Sequence, residues 1–165
     1  MRPVSITAAS LWVVVGLMTS SCGGGPEAPL IDDPGFAQQA ERICAKEFPP
    51  LRADLSDDEP REPGEVAPTI ESRAESVEAI VRTLRGLRVD PKARGPVDAW
   101  FADWATYVDV GRRYADALKE GDPERYSTVA EEGLEPQARI SAFARANGFK
   151  SCALDGAPLP PRAGL

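Results

Sequence analysis

The stretch WFADWATYVDVGRRY, residues 100–114, lies within the strongest periodic pattern in the sequence, and this pattern decides the fold class. Apolar residues recur here at alternating steps of three and four, which is the period of one face of an α-helix. The stripe consists of Val97, Phe101, Trp104, Val108, Gly111, Ala115 and Leu118. It predicts a long central helix over residues 97–120 that ends at Gly121.

Three further aromatic residues, Trp100, Tyr107 and Tyr114, lie seven positions apart beside this stripe and widen its apolar face. Aromatic residues at helical spacing commonly pack in a core, here between the central helix and two neighbours. The same pattern also fits an aromatic groove between helices that includes Trp104 and has Arg112 at its edge. Such a groove would bind a lipid, a glycan or a partner peptide.

Two amphipathic segments precede the central helix. Residues 34–48 show helical spacing up to the proline pair at 49–50, which predicts the end of a first helix there. Residues 69–88 form one apolar stripe, and Glu78 is placed one turn before Arg82 for an ion pair. The acidic, proline-bearing segment between these helices, residues 51–68, predicts an exposed loop.

The helical pattern resumes directly after the central helix. Asp122 is suited to cap a helix whose first residue is Pro123. Gly133 and Pro136 break or kink this helix, and the pattern continues to a left-handed cap at Gly148. No convincing strand pattern occurs, so the sequence predicts an all-α, up-and-down bundle of four to five helices.

The amino terminus carries a segment typical of export. Arg2 precedes an apolar run too short for a membrane span and then a run of small residues, the pattern of a secretory signal. At Cys22 the sequence resembles bacterial lipoproteins, whose lipobox has Leu and then two small residues before the cysteine. Thr19 replaces that Leu here, and Ser20 and Ser21 match the small pair.

The resemblance implies cleavage before Cys22, a diacylglyceryl group on its sulfur and a position on the outer face of the cell membrane. Simple secretion and an uncleaved membrane anchor are the alternatives. The high content of Ala, Arg, Gly and Pro and the ending GFKSC, residues 148–152, are also similar to small lipoproteins of high-GC Gram-positive bacteria. That likeness implies no activity.

This organisation divides the chain into four parts. We predict a signal peptide at residues 1–21, a flexible tether at 22–33, a helical bundle domain at 34–152 and a disordered or loosely docked tail at 153–165.

Two cysteines are left if Cys22 carries the lipid. Cys44 lies in the first helix and Cys152 lies just after the last one. An even number of cysteines in an exported chain predicts a disulfide, and this one would join the two ends of the bundle.

Composition excludes several kinds of chemistry. The chain has no His, and its two Met residues belong to the signal segment, so zinc, copper and iron–sulfur sites and His-based catalysis are not expected. No cofactor-binding motif occurs. The net charge of −7 argues against nucleic acid as a partner.

Carboxylates are the remaining candidates for chemistry. A calcium loop would use Asp54, Asp57, Asp58 and Glu59, although the ligand spacing of an EF-hand is missing. A carboxylate-based cell-wall enzyme would use Glu131, Glu132 and Glu135 or the acids of the central helix, Asp98, Asp103, Asp109 and Asp116. The acids of the central helix lie opposite its apolar stripe, as expected of a solvated face.

The sequence as a whole favours a lipid-anchored, non-enzymatic binding or interaction module at the cell envelope. Its partner would be an envelope protein or a small apolar ligand, besides the membrane that holds the lipid. The carboxylate enzyme and a purely structural envelope component are the alternatives. A structural component would have no pocket beside Trp100.

Overall fold

A computed structural model describes residues 28–53 and 62–154, and the regular structure in these ranges consists of helices alone. The helices are α1 (Pro34–Ala53), α2 (Pro63–Arg85), α3 (Arg94–Glu120), α4 (Pro123–Glu132) and α5 (Leu134–Ala146), followed by one 3₁₀ turn (Lys150–Cys152). The predicted all-α class is confirmed. None of the helices in the described ranges combines the length and the apolar character needed to cross a membrane.

The helices alternate in direction, as the bundle prediction requires. Asp33 Oδ2 accepts a hydrogen bond from the backbone N–H of Asp90 at 2.7 Å, which places the start of α1 beside the α2–α3 link. Asn147 Oδ1 accepts one from the N–H of Ile31 at 2.7 Å, which brings the end of α5 to the same place. The chain therefore runs up in α1, down in α2, up in α3, and down through α4 and α5 together.

α3 is the centre of the bundle and packs against α2, α4 and α5. Trp100 and Trp104 are 2% and 0% exposed, and their rings meet edge to face with centroids 5.9 Å apart. Phe36 of α1 and Phe149 after α5, both fully buried, meet edge to face nearby at 5.9 Å. Burying each such ring contributes about 1.5–3 kcal/mol, so α3 and its contacts supply much of the stability of the core.

The predicted helix ends are confirmed at three positions. Gly121 ends α3 with φ +67°, in the left-handed region that glycine adopts without strain. Asp122 caps α4 through Oδ1, which accepts a hydrogen bond from the N–H of Arg125 at 3.0 Å. Gly148 is left-handed at φ +81°, and Phe149 donates its N–H back to the carbonyl of Ala144 at 3.0 Å.

Several helix boundaries differ from the prediction. α3 begins at Arg94 rather than at residue 97, α2 ends at Arg85 rather than at residue 88, and two further differences are larger. α1 continues through the proline pair to Ala53. Phe48 is 3% exposed and Leu51 is partly buried against the core, so these contacts outweigh the backbone hydrogen bonds that the prolines cannot make. α2 begins at Pro63 rather than at residue 69, because Pro63 suits a first helical position and Ala67 is already buried.

The fourth helical segment is divided in two. α4 ends and α5 begins at Gly133, and Pro136 lies in the first turn of α5, where its missing N–H costs nothing. The predicted break is therefore confirmed, and it lies at Gly133 rather than at Pro136. The acids of the proposed calcium loop, Asp54, Asp57, Asp58 and Glu59, lie outside the described residues.

The folded part of the chain extends beyond the predicted domain at both ends. Residues 28–33, which we call the strap, were predicted as flexible tether, yet they are held against the end of α5 by hydrogen bonds to Asn147. Ala153 and Leu154 were predicted as tail and are 1% and 4% exposed. Leu154 donates its N–H to Ser141 Oγ at 3.0 Å. Cys22 and the rest of the signal and tether lie outside the described residues, as do 155–165.

The predicted disulfide between Cys44 and Cys152 is present, with Cα atoms 5.1 Å apart and 108 positions between the two residues. Both cysteines are buried. Beside the bridge, the carboxylate of Glu41 accepts hydrogen bonds from the N–H of Ser151 at 2.9 Å and from its hydroxyl at 2.6 Å. The bridge and these bonds hold α1 to the carboxyl-terminal segment.

Candidate functional site

A cavity of about 180 Å³ lies between the start of α3 and α5. It is partly open to solvent. Its lining residues are mostly apolar: Ala28, Pro29, Pro96, Ala99, Trp100, Asp103, Arg139, Ala142 and Phe143. We refer to it as the Trp100 cavity. Its shape and composition are those of a small ligand site, concave and apolar with a few polar groups at the edge.

Trp100 forms a rigid part of the cavity wall. The indole Nε1–H donates to the carbonyl of Ile140 at 3.3 Å, which connects α3 to α5. Its ring meets that of Phe143 with centroids 5.7 Å apart. Because the indole is fixed by a hydrogen bond on one edge and by ring contacts around it, this wall does not need to rearrange to receive a ligand.

The polar edge of the cavity is an ion pair. Arg139 Nε donates to Asp103 Oδ1 at 2.8 Å, and the same guanidinium also contacts Glu135. The hydrogen bond to Asp103 raises the pKa of Arg139 above its usual value. The Asp103 side chain is 20% exposed, so this is the least exposed ion pair of the site and the charged group closest to the apolar wall.

The strap forms another wall of the cavity through Ala28 and Pro29. Asn147 holds this wall in place, because its Nδ2 donates to the carbonyl of Pro29 at 3.0 Å and its Oδ1 accepts from Ile31. The strap therefore forms one wall of the cavity and also connects the bundle to the segment that contains Cys22.

The other residues of the predicted groove do not meet at this surface. Trp104 stacks on Phe48 with centroids 5.7 Å apart, and Tyr107 meets Trp104 edge to face at 6.0 Å. Tyr114 contacts Tyr126 at 6.1 Å. The three rings are at most 2% exposed and fill the core. Trp104 also lines, with Arg112, a separate cavity of about 290 Å³ between α2 and α3.

Arg112, predicted at the edge of the groove, lines this cavity between α2 and α3 together with Trp104 and also connects the two helices. Its guanidinium lies 2.6 Å from Glu78 of α2, the acid that was predicted to pair with Arg82. Arg82 is more distant from the same carboxylate, at 3.9 Å. The closer partner of Glu78 is therefore Arg112 on the neighbouring helix. The spacing of residues within α2 predicted only the pair with Arg82.

Apart from Asp103, which lines the Trp100 cavity, the candidate catalytic acids lie on the outside of the bundle. Glu131, Glu132 and Glu135 are exposed, Glu132 pairs with Arg113 at 2.7 Å, and Glu135 pairs with Arg139. Asp109 forms the ion pair with Arg113 that its spacing predicts, at 2.9 Å. Asp98 and Asp116 are exposed as well. Across residues 28–53 and 62–154, no three His, Cys, Asp or Glu side chains are arranged to hold a metal ion.

Of the five residues predicted for binding, only Trp100 contributes to the cavity. Arg139, Phe143 and Asn147 were missed, because they reach the site from α5 and from its end, 36 or more positions away along the chain from their partners Asp103 and Ile31. The spacing of apolar residues in α5 places Phe143 on the inner face of that helix. This is the one feature of the sequence that points to any of the three residues.

Comparison with protein-family models, with curated proteins and with solved structures found no match. The class of protein is therefore defined by the molecule itself. It is an all-α bundle whose first helix and carboxyl-terminal segment are joined by a disulfide, with a small apolar cavity between α3 and α5.

Proposed function

We propose that this protein is a lipid-anchored binding module of the cell envelope and that the Trp100 cavity receives a small apolar group. The anchor is the acylated Cys22 at the start of the mature chain. The ligand is either a free small molecule or an apolar side chain of an envelope protein. The protein performs no chemistry on it.

The observation that carries this proposal is the Trp100 cavity itself. Apolar cavities of about 150 Å³ in protein cores bind benzene or xenon, and the present cavity has about 180 Å³. A single ring or a short branched chain is the size that fits. The Arg139–Asp103 pair at the edge would orient a ligand that carries one polar atom.

A substitution that fills the Trp100 cavity with a larger side chain should prevent ligand binding, and this tests the binding site. Ala142 lines the cavity, whereas Ala138 lies one turn earlier on α5 and is exposed. We expect native mass spectra of the full chain extracted gently from membranes to show an added mass that is lost on denaturation. The added mass should persist in Ala138→Leu and disappear in Ala142→Leu.

Benzene serves as a probe in case the natural ligand is lost during extraction. Benzene should raise the melting temperature of the wild-type protein and of Ala138→Leu, and leave that of Ala142→Leu unchanged. Absence of both the added mass and the benzene effect in the wild type would contradict the binding site and leave a structural envelope role.

The anchor has an independent test in the denatured mass of the same sample. We expect the mass of a chain that begins at an acylated Cys22 and contains one disulfide. The mass of an unacylated chain would rule out the anchor and leave the proposal for the cavity intact.

A further inference from the structure

Another cavity, of about 490 Å³, lies at the end of the bundle where α2 passes into α3. Its lining residues are Arg85, Leu87, Arg88, Val89, Arg94, Asp98 and Phe101. Three of the seven are arginines and one is an acid. We refer to it as the arginine cavity. It shares no lining residue with the Trp100 cavity.

The positive charge here stands out against an acidic chain. The protein has a net charge of −7, yet the segment RTLRGLRVDPKAR, residues 82–94, has five basic residues and a single acid, Asp90. The first turn of α3 that follows contains no acid. The unpaired N–H groups at a helix start are partially positive and add to the charge of the neighbouring arginines and Lys92. The carboxylates of Asp33, Asp90 and Asp98 lie at the same end and offset part of this charge.

One arginine of the cavity is held in place by the fold. Arg85 Nη2 donates to the carbonyl of Phe101 at 3.1 Å, and the guanidinium carbon lies 5.3 Å from the centre of the Phe101 ring. These contacts order the side chain and leave part of its guanidinium for another acceptor, since the group has five N–H donors.

The other two arginines are available. In the described part of the chain, neither Arg88 nor Arg94 has a carboxylate within ion-pair distance, and both are exposed. Most other arginines of the bundle are engaged, such as Arg112 with Glu78 and Arg139 with Asp103. Asp98 lines the same cavity, and its negative charge would repel a bound anion. Removing this charge is therefore a suitable test of anion binding.

We propose that the arginine cavity is a binding site for a phosphate group, held by Arg88 and Arg94 with Arg85 beside them. Guanidinium groups bind phosphate through paired N–H donors, which makes arginine the preferred residue for this anion. The apolar side chains of Leu87 and Val89 in the same lining would contact the organic part of a phosphate ester. The phosphate belongs either to a soluble phosphorylated compound or to a lipid headgroup.

The position of the strap makes the headgroup a realistic source. Asp33, the last strap residue, binds the N–H of Asp90 in the α2–α3 link, so strap and arginine cavity lie at the same end of the bundle. Cys22 lies six positions before Ala28, a span of at most about 20 Å. A lipid on Cys22 would therefore keep this end close to the membrane surface. This step rests on the proposed anchor, whereas the phosphate site does not.

The first experiment uses inorganic phosphate and the full chain in an uncharged detergent, with binding measured by calorimetric titration. We expect one saturable site. Arg88→Gln and Arg94→Gln should each weaken binding about tenfold, as expected for loss of a charge-assisted hydrogen bond. Asp98→Asn should strengthen it. Arg42→Gln, an equal charge change on the exposed face of α1, should leave it unchanged.

The second experiment separates the two sources. The full-length Cys22→Ser variant, which cannot carry the lipid, is sedimented with vesicles of phosphatidylcholine alone or mixed with phosphatidylglycerol. Binding to phosphatidylcholine alone measures the contribution of its retained apolar signal segment. Binding to the mixed vesicles that is lost in Arg88→Gln identifies a headgroup. Saturable binding of inorganic phosphate without vesicle binding identifies a soluble compound.

The proposal is overturned if neither phosphate nor vesicles bind, or if Arg42→Gln weakens binding as much as Arg88→Gln does. Saturable binding of an Asp- and Glu-rich peptide without any binding of phosphate would also overturn it. The variants at Arg42, Arg88, Arg94 and Asp98 change exposed side chains, and far-UV circular dichroism checks that every variant is folded. Failure here would leave the Trp100 cavity and the anchor unaffected, since their tests use other residues.

Discussion

At the scale of single residues, burial changes the chemistry of Tyr114. Its side chain is 2% exposed, and desolvation, together with the nearby Tyr126, raises the pKa of its phenol from 10.0 to about 12. The protein thus stabilises the neutral form of this phenol. Between pH 10 and pH 12, the unfolded chain releases the proton while the folded chain still holds it.

The free energy of unfolding should therefore fall as the pH rises from 10 to 12. The raised pKa of Tyr114 contributes up to about 1.4 kcal/mol per pH unit in this interval and nothing below it. Tyr114→Phe should make the fall less steep, as measured by urea unfolding at a series of pH values. Tyr126→Phe removes the smaller cause of the raised pKa and keeps the phenol of Tyr114 buried, so it should retain most of the fall. Equal slopes in wild type and Tyr114→Phe would contradict the prediction.

At the scale of elements, the strap shows what a single side chain can organise. Asn147 follows the last residue of α5 and makes three hydrogen bonds, to the N–H of Ile31 and to the carbonyls of Pro29 and Phe143. The bonds to Ile31 and Pro29 join residues that are 116 and 118 positions apart in the sequence. These bonds hold the strap, which its composition predicts to be a flexible linker, as a wall of the Trp100 cavity.

Removal of this side chain should loosen the strap while the bundle stays folded. We expect Asn147→Ala to speed hydrogen exchange at the Ile31 amide and to lower the free energy of unfolding by about 1–2 kcal/mol. Asn147→Asp keeps the acceptor for Ile31 but turns a second oxygen toward the carbonyls of Pro29 and Phe143, so it should protect Ile31 less than the wild type does and more than Asn147→Ala does. Unchanged exchange at Ile31 in the alanine variant would show that the strap is held by other contacts.

The helices themselves were largely predictable, and the strap was not. The stripe of α3 and the end signals at Gly121 and Asp122 depend on neighbours within one or two turns, so they can be recognised in the sequence. The continuation of α1 past its prolines depends on what Phe48 touches elsewhere. The site depends on such distant contacts still more, because Asn147 and Arg139 have partners that the order of the chain does not indicate.

At the scale of the whole molecule, the Cys44–Cys152 bridge ties α1 to the carboxyl-terminal segment. α1 packs against that segment more extensively than against α2. The bridge and the paired bonds of Glu41 to Ser151 are therefore the main ties of the first helix to the far end of the chain.

Loss of the bridge should destabilise the entire domain. The loop it closes spans 108 positions, and the chain-entropy model gives about 4–5 kcal/mol for a loop of that size. The double variant Cys44→Ala, Cys152→Ala should lower the free energy of unfolding in urea by about that amount or somewhat less. Cys22→Ser should leave it unchanged. Equal stability of the double variant and the wild type would refute a structural role for the bridge.

The bridge also changes what a protease can accomplish. Between Cys44 and Cys152 the backbone and the disulfide together form a closed ring that contains α2, α3, α4 and α5. One peptide bond cut in any link of this ring opens it without releasing a fragment. Both new ends stay attached to the same molecule, and a second cut is needed before any piece of the domain can diffuse away.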